Sequence, residues 1–162
     1  MTGGAKVIEA AFLVGLLLLV PHSAEANGIR QRFDETARSA QQKTGLDQIR
    51  EINLSVNKLL VITHFYPKSP ETKDWRSIDN ILESKYQNDC KDFVVLKEEL
   101  LRRVGIRSER ILVLVRSTRE LHVVLKIPYG EGEIILDNLR NVIVTMEDLQ
   151  DAYEFQQRLA VN

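Results

Sequence analysis

Apolar residues along this chain recur with three different periods. Ala10 to Val20 is an unbroken apolar run that contains a single glycine, Gly15, and stops at Pro21. Beyond it, apolar residues fall three and four apart, the period of a helix with one buried face. Ile29 to Gln42 is polar and charged, with Phe33 and a few alanines to bury, which predicts a peripheral helix. Ile49, Ile52, Val56, Leu59 and Leu60 predict a core helix running to about Thr63, opened by Thr44-Gly45-Leu46-Asp47 at capping-box spacing. Asn53 and Asn57 stand one turn apart on it, and two carboxamides on one face can tie the helix to a neighbouring loop. Pro67 and Pro70 end that helix and open a polar loop through Asp74. Trp75, Ile78 and Leu82 share one face of a short helix ending near Tyr86, with Trp75 reading better as a core anchor than as a substrate platform. A last helix carries Phe93, Leu96, Leu100, Leu101 and Val104 on its inner stripe and meets a stop signal at Gly105.

From Ile111 the period shortens to two. Ile111 to Val115 is β-branched and apolar between charges, which predicts a buried strand. Arg116 to Glu120 turns the chain, and Leu121 to Ile127 returns with Leu121, Val123, Leu125 and Ile127 on one face. His122, Val124 and Lys126 take the other face. Pro128-Tyr129-Gly130-Glu131 reads as a four-residue hairpin turn before Glu133 to Leu136. Val142-Ile143-Val144 predicts one more strand, and Tyr153 and Phe155 form a final aromatic pair. Helices first and an antiparallel meander afterwards predict an α+β domain.

The first apolar run has the form of an export signal. Lys6 precedes it and Ala24-Glu25-Ala26 follows as a small-x-small cleavage site, so residues 1–26 are expected to be a signal peptide and 27–162 the mature domain. The run is shorter than the ~20 residues of a membrane span. The expected location is periplasmic or secreted. With Lys6, Glu9 and Glu25 of the leader set aside, the 22 basic and 23 acidic residues of the chain balance. A neutral domain makes no case for nucleic acid or an anionic membrane as partner.

The chain has one cysteine, Cys90. An exported protein with structural cysteines usually carries an even number. Cys90 is therefore an inert buried residue, an intermolecular half-bridge or a reactive thiol. It stands where the amphipathic run Phe93 to Val104 begins, and a helix N-terminus favours thiolate. If Ile127 and Gly132 flank the hairpin loop, His122 falls directly opposite Asp137, at the ~5 Å separation of cross-strand neighbours. Cys90, His122 and Asp137 then suit acyl transfer, as nucleophile, base and orienting carboxylate, with the Cys90 N–H as half of an oxyanion hole. The same residues leave other readings open. A strand histidine is often a satisfied interior residue, Asp137-Asn138 is ordinary turn chemistry, and the three could be zinc ligands. His64, just before Pro67, reads as loop or helix-end material.

Asp89-Cys90-Lys91-Asp92-Phe93, then Leu96-Lys97, Leu100-Leu101 and Val104-Gly105-Ile106, resembles the signature of the bacterial transglutaminase-like cysteine peptidases. His122-Val123-Val124-Leu125 and Leu136-Asp137-Asn138 resemble its later motifs. Asn53 with Val56-Asn57, Asp74-Trp75, and Tyr153-Glu154-Phe155 with Arg158 resemble its paired-Asn helix, its tryptophan and its closing strand. The resemblance implies a papain/transglutaminase-like core, with the cysteine at a helix N-terminus packed on the antiparallel meander. It implies a Cys–His–Asp triad at Cys90, His122 and Asp137 and hydrolysis of a peptide bond through a thioester. It further implies a protein substrate such as a large surface adhesin, a link to biofilm release, an inner-membrane receptor as regulator, and calcium bound in part by Asp89.

Two positions depart from the family pattern. Asn88 replaces a glycine, as a residue that tolerates positive φ. Lys91 replaces an acid, and an ammonium in a calcium shell repels the ion. Calcium is therefore expected to be weak or dispensable, with no cofactor required. Two alternatives to the peptidase are a binding module that keeps the fold and an acyl transferase that uses the same triad.

Overall fold

Ile29, Phe33, Ala37 and Ala40 recur at helical spacing and are buried, so α1 (His22–Gln41) turns a full stripe inward and is less peripheral than its polarity predicts. The computed structural model describes residues 22–60, 75–83 and 88–160. The apolar run Ala10 to Val20, His64, the loop with Pro67 and Pro70, and the helix end near Tyr86 lie outside the described residues. α2 (Gly45–Leu59) buries Ile49, Ile52, Asn53, Val56 and Leu59, as its spacing predicts. Its expected cap does not form: the Thr44 side chain makes no capping bond, and Gly45 takes a left-handed φ of 59°. α3 is a short helix, Ile78–Glu83, that follows Trp75. Trp75 packs against the core as a partly buried side chain, with the Arg110 guanidinium 4.0 Å above its ring.

α4 (Cys90–Arg103) is the central helix. Both ends are written in the sequence. Asp89 caps it, accepting from the Lys91 N–H, while the Asp92 carboxylate reaches back to the Asp89 N–H at 2.9 Å. At the other end Gly105 takes a φ of 75°, and the Ile106 and Gly105 N–H groups return to the Leu101 and Arg102 carbonyls.

Five strands follow: β1 (Glu109–Val115), β2 (Glu120–Tyr129), β3 (Gly132–Leu136), β4 (Val144–Thr145) and β5 (Tyr153–Leu159). They form an antiparallel sheet in the order β4-β3-β2-β1-β5. The helices cover one face, where Leu112, Val123, Leu125, Ile127, Ile134 and Leu136 join their core. A smaller cluster of Ile111, Val113, Val115, Val124, Ile135, Leu149 and Tyr153 fills the other. Among the described residues no helix is long and apolar enough to cross a membrane.

The hairpin differs from its expected form. Tyr129 pairs with Gly132 and Ile127 with Ile134, so the loop is Gly130-Glu131 and not the four residues from Pro128. Pro128 sits inside β2, beyond the last β1 pair at Lys126, where a missing N–H costs no ladder bond on that side. The pairing is thereby displaced two residues from the expected register. Because side chains alternate with a period of two, every face assignment survives. Val142 and Ile143 stay outside the short β4, and Tyr153 opens a full strand beside β1.

Candidate active site

β3 stops pairing at Leu136, opposite Leu125, so β2 runs on past it toward Glu120 with β1 on its other side. His122 lies in that extension and Asp137 is the first residue after β3. They are not directly opposed, as the shifted register requires, yet His122 Nε2 lies 2.9 Å from Asp137 Oδ1. Both side chains are fully buried. The Tyr153 hydroxyl donates to Asp137 Oδ2 at 2.5 Å, and the Leu139 N–H donates to Oδ1 at 3.0 Å. Burial works against the charge of Asp137, but His122, Tyr153 and Leu139 outweigh it and hold the carboxyl at about 2. An ionised carboxylate only accepts, so Nε2 carries the ring proton and Nδ1 is the basic nitrogen of the neutral imidazole.

The loop that carries Asp137 is fastened to α2. Asn57 donates from Nδ2 to the Asp137 and Arg140 carbonyls at 3.0 and 2.9 Å, and Asn53 donates to the Arg140 carbonyl at 3.1 Å. This is the tie that two asparagines on one helical face predict.

Cys90 is the first residue of α4 and belongs to the helix-side core, at 0% exposure. His122 alternates with Val123 and so projects with Val124, its ring 5.9 Å from that of Tyr153. Cys90 and His122 thus meet at adjacent residues of β2, Val123 and His122. The Val123 N–H bonds the Cys90 sulfur, and the charge of Asp137 acts on it. Burial pushes the thiol up to about 12, with Val123 and the Lys91 charge opposing and Asp89 and Asp137 adding to the rise. Burial thus works against the thiolate that the helix position favours.

Around the start of α4 the acids are already engaged. Asp89 Oδ1 accepts from the Lys91 N–H at 2.8 Å, and Oδ2 lies 3.8 Å from the buried Lys91 ammonium. Asp92 accepts from Arg76 at 2.9 Å on each oxygen. Arg76 also donates to Asn88 Oδ1 at 2.8 Å. Among the described residues no group of three or more His, Cys, Asp or Glu side chains could hold a metal ion.

Two buried polar residues escaped the sequence reading. Tyr153 was legible only as half of an aromatic pair, because its acceptor lies 16 positions away on another element. Lys97 sits seven residues after Cys90 in the apolar stripe of α4, a lysine where the period calls for an apolar residue. It is 1% exposed. Burial brings its ammonium down to about 7, with Asp137 alone pulling the other way.

A family model for the bacterial transglutaminase-like cysteine proteinases (BTLCP) matches residues 23–161. No curated protein sequence matches the chain. Calcium-bound LapG of Legionella pneumophila superposes with a TM-score of 0.67 at 19% identity, over 86% of this chain and 82% of that one. EGTA-treated LapG of the same organism gives 0.67 at 20%, over 86% and 80%. A further LapG structure gives 0.63 at 22%, over 81% and 76%. At these identities the likeness speaks for the fold.

Proposed function

The chain belongs to the bacterial transglutaminase-like cysteine proteinase family and is a cysteine peptidase of that type, and from this premise we propose that Cys90, His122 and Asp137 are its catalytic triad. The observation that carries the reading is the buried His122–Asp137 pair at 2.9 Å, one residue from the N–H that bonds the Cys90 sulfur. His122 Nδ1 takes the thiol proton as sulfur attacks the scissile carbonyl, and Asp137 supports the imidazolium through Nε2. The Cys90 N–H stabilises the oxyanion. It is the first N–H of α4, whereas the Asp89 cap engages those of Lys91 and Asp92. The carbon–nitrogen bond breaks as His122 returns the proton to the leaving amine, leaving a thioester on Cys90. Water, deprotonated by the same nitrogen, then releases the acid and restores the thiol.

The proposed substrate is a large surface adhesin, cut after export of residues 27–162 to the periplasm, where an inner-membrane receptor limits access. The side chains at the start of α4 do not fit a calcium ion of the kind that calcium-bound LapG holds. Asp89 faces an ammonium and Asp92 a guanidinium, and an oxygen shell has no room for either. Activity is therefore proposed to be independent of calcium.

The test compares cells carrying the intact chain with Cys90→Ser, His122→Ala and Asp137→Asn strains and measures the length of exported proteins. A large exported protein shortened only by the intact chain is the expected result. Full processing by His122→Ala would overturn the triad. Incorporation of a labelled amine in place of hydrolysis would move the reading to acyl transfer.

A further inference from the structure

Leu139, Arg140 and Val142 lie in the loop that leaves Asp137. Among the described residues three large hydrophobic side chains are exposed, and two of them are here: Leu139 at 39% and Val142 at 64%. The third, Tyr129, ends β2 at the hairpin. Arg140 stands between the two, with its side chain 39% exposed. The backbone of this loop is fastened from within. The Arg140 carbonyl accepts from Asn53 at 3.1 Å and from Asn57 at 2.9 Å, and the Leu139 N–H donates to Asp137 at 3.0 Å. A surface held in this way loses little further freedom when a ligand settles on it.

The guanidinium of Arg140 is divided between inside and outside. Nε is buried 3.9 Å from Asp137 Oδ2 and makes no hydrogen bond among the described residues. The central carbon lies 6.0 Å from the centroid of the Tyr153 ring. Asp137 is the one carboxylate within ion-pair distance of Arg140 among the described residues, and its oxygens already accept from His122, Tyr153 and Leu139. Nearby arginines are spent on acids of their own: Arg76 on Asp92, and Arg116 and Arg119 on Glu154. With Nε buried, the exposure of Arg140 falls on its stem and its terminal nitrogens. A guanidinium carries five N–H donors in a planar fork, and a carboxylate takes two of them side by side. One edge of the fork faces the triad carboxylate, which leaves the outward edge for a second one.

We propose that Leu139, Arg140 and Val142 form a subsite that selects an acidic residue among apolar neighbours in the substrate chain. The proposal deepens the peptidase reading above and rests on its triad. His122 holds Oδ1 of Asp137 and Arg140 lies on the Oδ2 side, so the acidic residue sits a few positions away from the scissile bond and not beside it. Its carboxylate pairs with the outward edge of Arg140. Leu139 and Val142 take the apolar neighbours and exclude water from around the pair. A chain without the acid keeps only the apolar contact.

The experiment offers the purified chain a peptide library with randomised positions and reads the cuts by mass spectrometry, with Cys90→Ala as the control. Asp and Glu are expected to be enriched at one fixed distance from the cut. From the strongest cut, a matched pair of peptides carries Asp or Asn at that position. The ratio of their kcat/KM values is expected to be about five in the parent, the upper range of a solvent-exposed ion pair. It is expected to fall to about one in Arg140→Gln, to stay above one in Arg140→Lys, and to invert in Arg140→Glu. An arginine that merely holds the loop would change both peptides alike and leave the ratio where it was. Cuts lost in Cys90→Ala but without acid enrichment, or a ratio unmoved by Arg140→Gln, overturn the subsite and leave the triad standing. Cuts that persist in Cys90→Ala, or no cuts by the parent, overturn both.

Discussion

At Asp137 burial and hydrogen bonding pull in opposite directions, and three donors decide the outcome. Its folded value of about 2 lies below the ordinary 3.8, so the stability it contributes is present above about pH 4 and is lost as pH falls through 2. Asp137→Asn should lower stability by about 2 kcal/mol at pH 5 to 7, with the difference closing by pH 2, as read from denaturant midpoints. A constant difference across that range would mean the loss is one of packing. At Cys90 the balance runs the other way. With the thiol pushed up to about 12, iodoacetamide should label it at least tenfold more slowly than free cysteine between pH 7 and 9. Labelling faster than the free amino acid would show a resting thiolate. Single residues were the least legible level of the sequence. Charged types read as surface, so the burial of Lys91 and Lys97 carries no signal beyond a lysine in an apolar stripe. The reach of Tyr153 to Asp137 depends on strand order, which no local pattern encodes.

Elements were far more legible, because they depend on period and punctuation. The stripe of α4, its stop at Gly105, the alternation of β2 and the Asn53–Asn57 face are all readable as written. The hairpin register was missed by two residues because Pro128 reads as a turn residue, although β2 accommodates it where β1 has ended. An even slip leaves faces intact, which is why the pairing of His122 with Asp137 survived a wrong register. The cap at Thr44 failed as a reading since spacing alone does not secure a bond. Two predictions belong here. Asn57→Ala removes the donor to two carbonyls of the Asp137 loop and should cost about 1–3 kcal/mol while lowering kcat more than KM changes. Unchanged kcat would show that the loop holds its place without α2. At the N-terminus of α4, EGTA should leave the melting temperature and activity unaltered, whereas Lys91→Glu should make both respond to calcium. A melting temperature of the parent that drops on chelation would refute the ammonium-for-ion reading.

Across the whole molecule, the helices cover one face of a single antiparallel sheet and the candidate site occupies the margin where β3 gives out. The parts that converge on Asp137 come from widely separated stretches: Asn57 from α2, His122 from β2 and Tyr153 from β5. β5 lies beside β1 at the edge of the sheet and supplies the Tyr153 donor that closes the ring. Until that strand docks, Oδ2 keeps Arg140 at 3.9 Å but lacks the Tyr153 hydroxyl, and pairings this distant in sequence form slowly. The ring of donors around Asp137 is therefore expected to be complete only once β5 has docked. A chain ending at Asp151 should retain α1 to α4 by circular dichroism and cleave nothing, even when its thiol is intact. Tyr153 thus fastens the outer edge of the sheet to the carboxylate that holds His122.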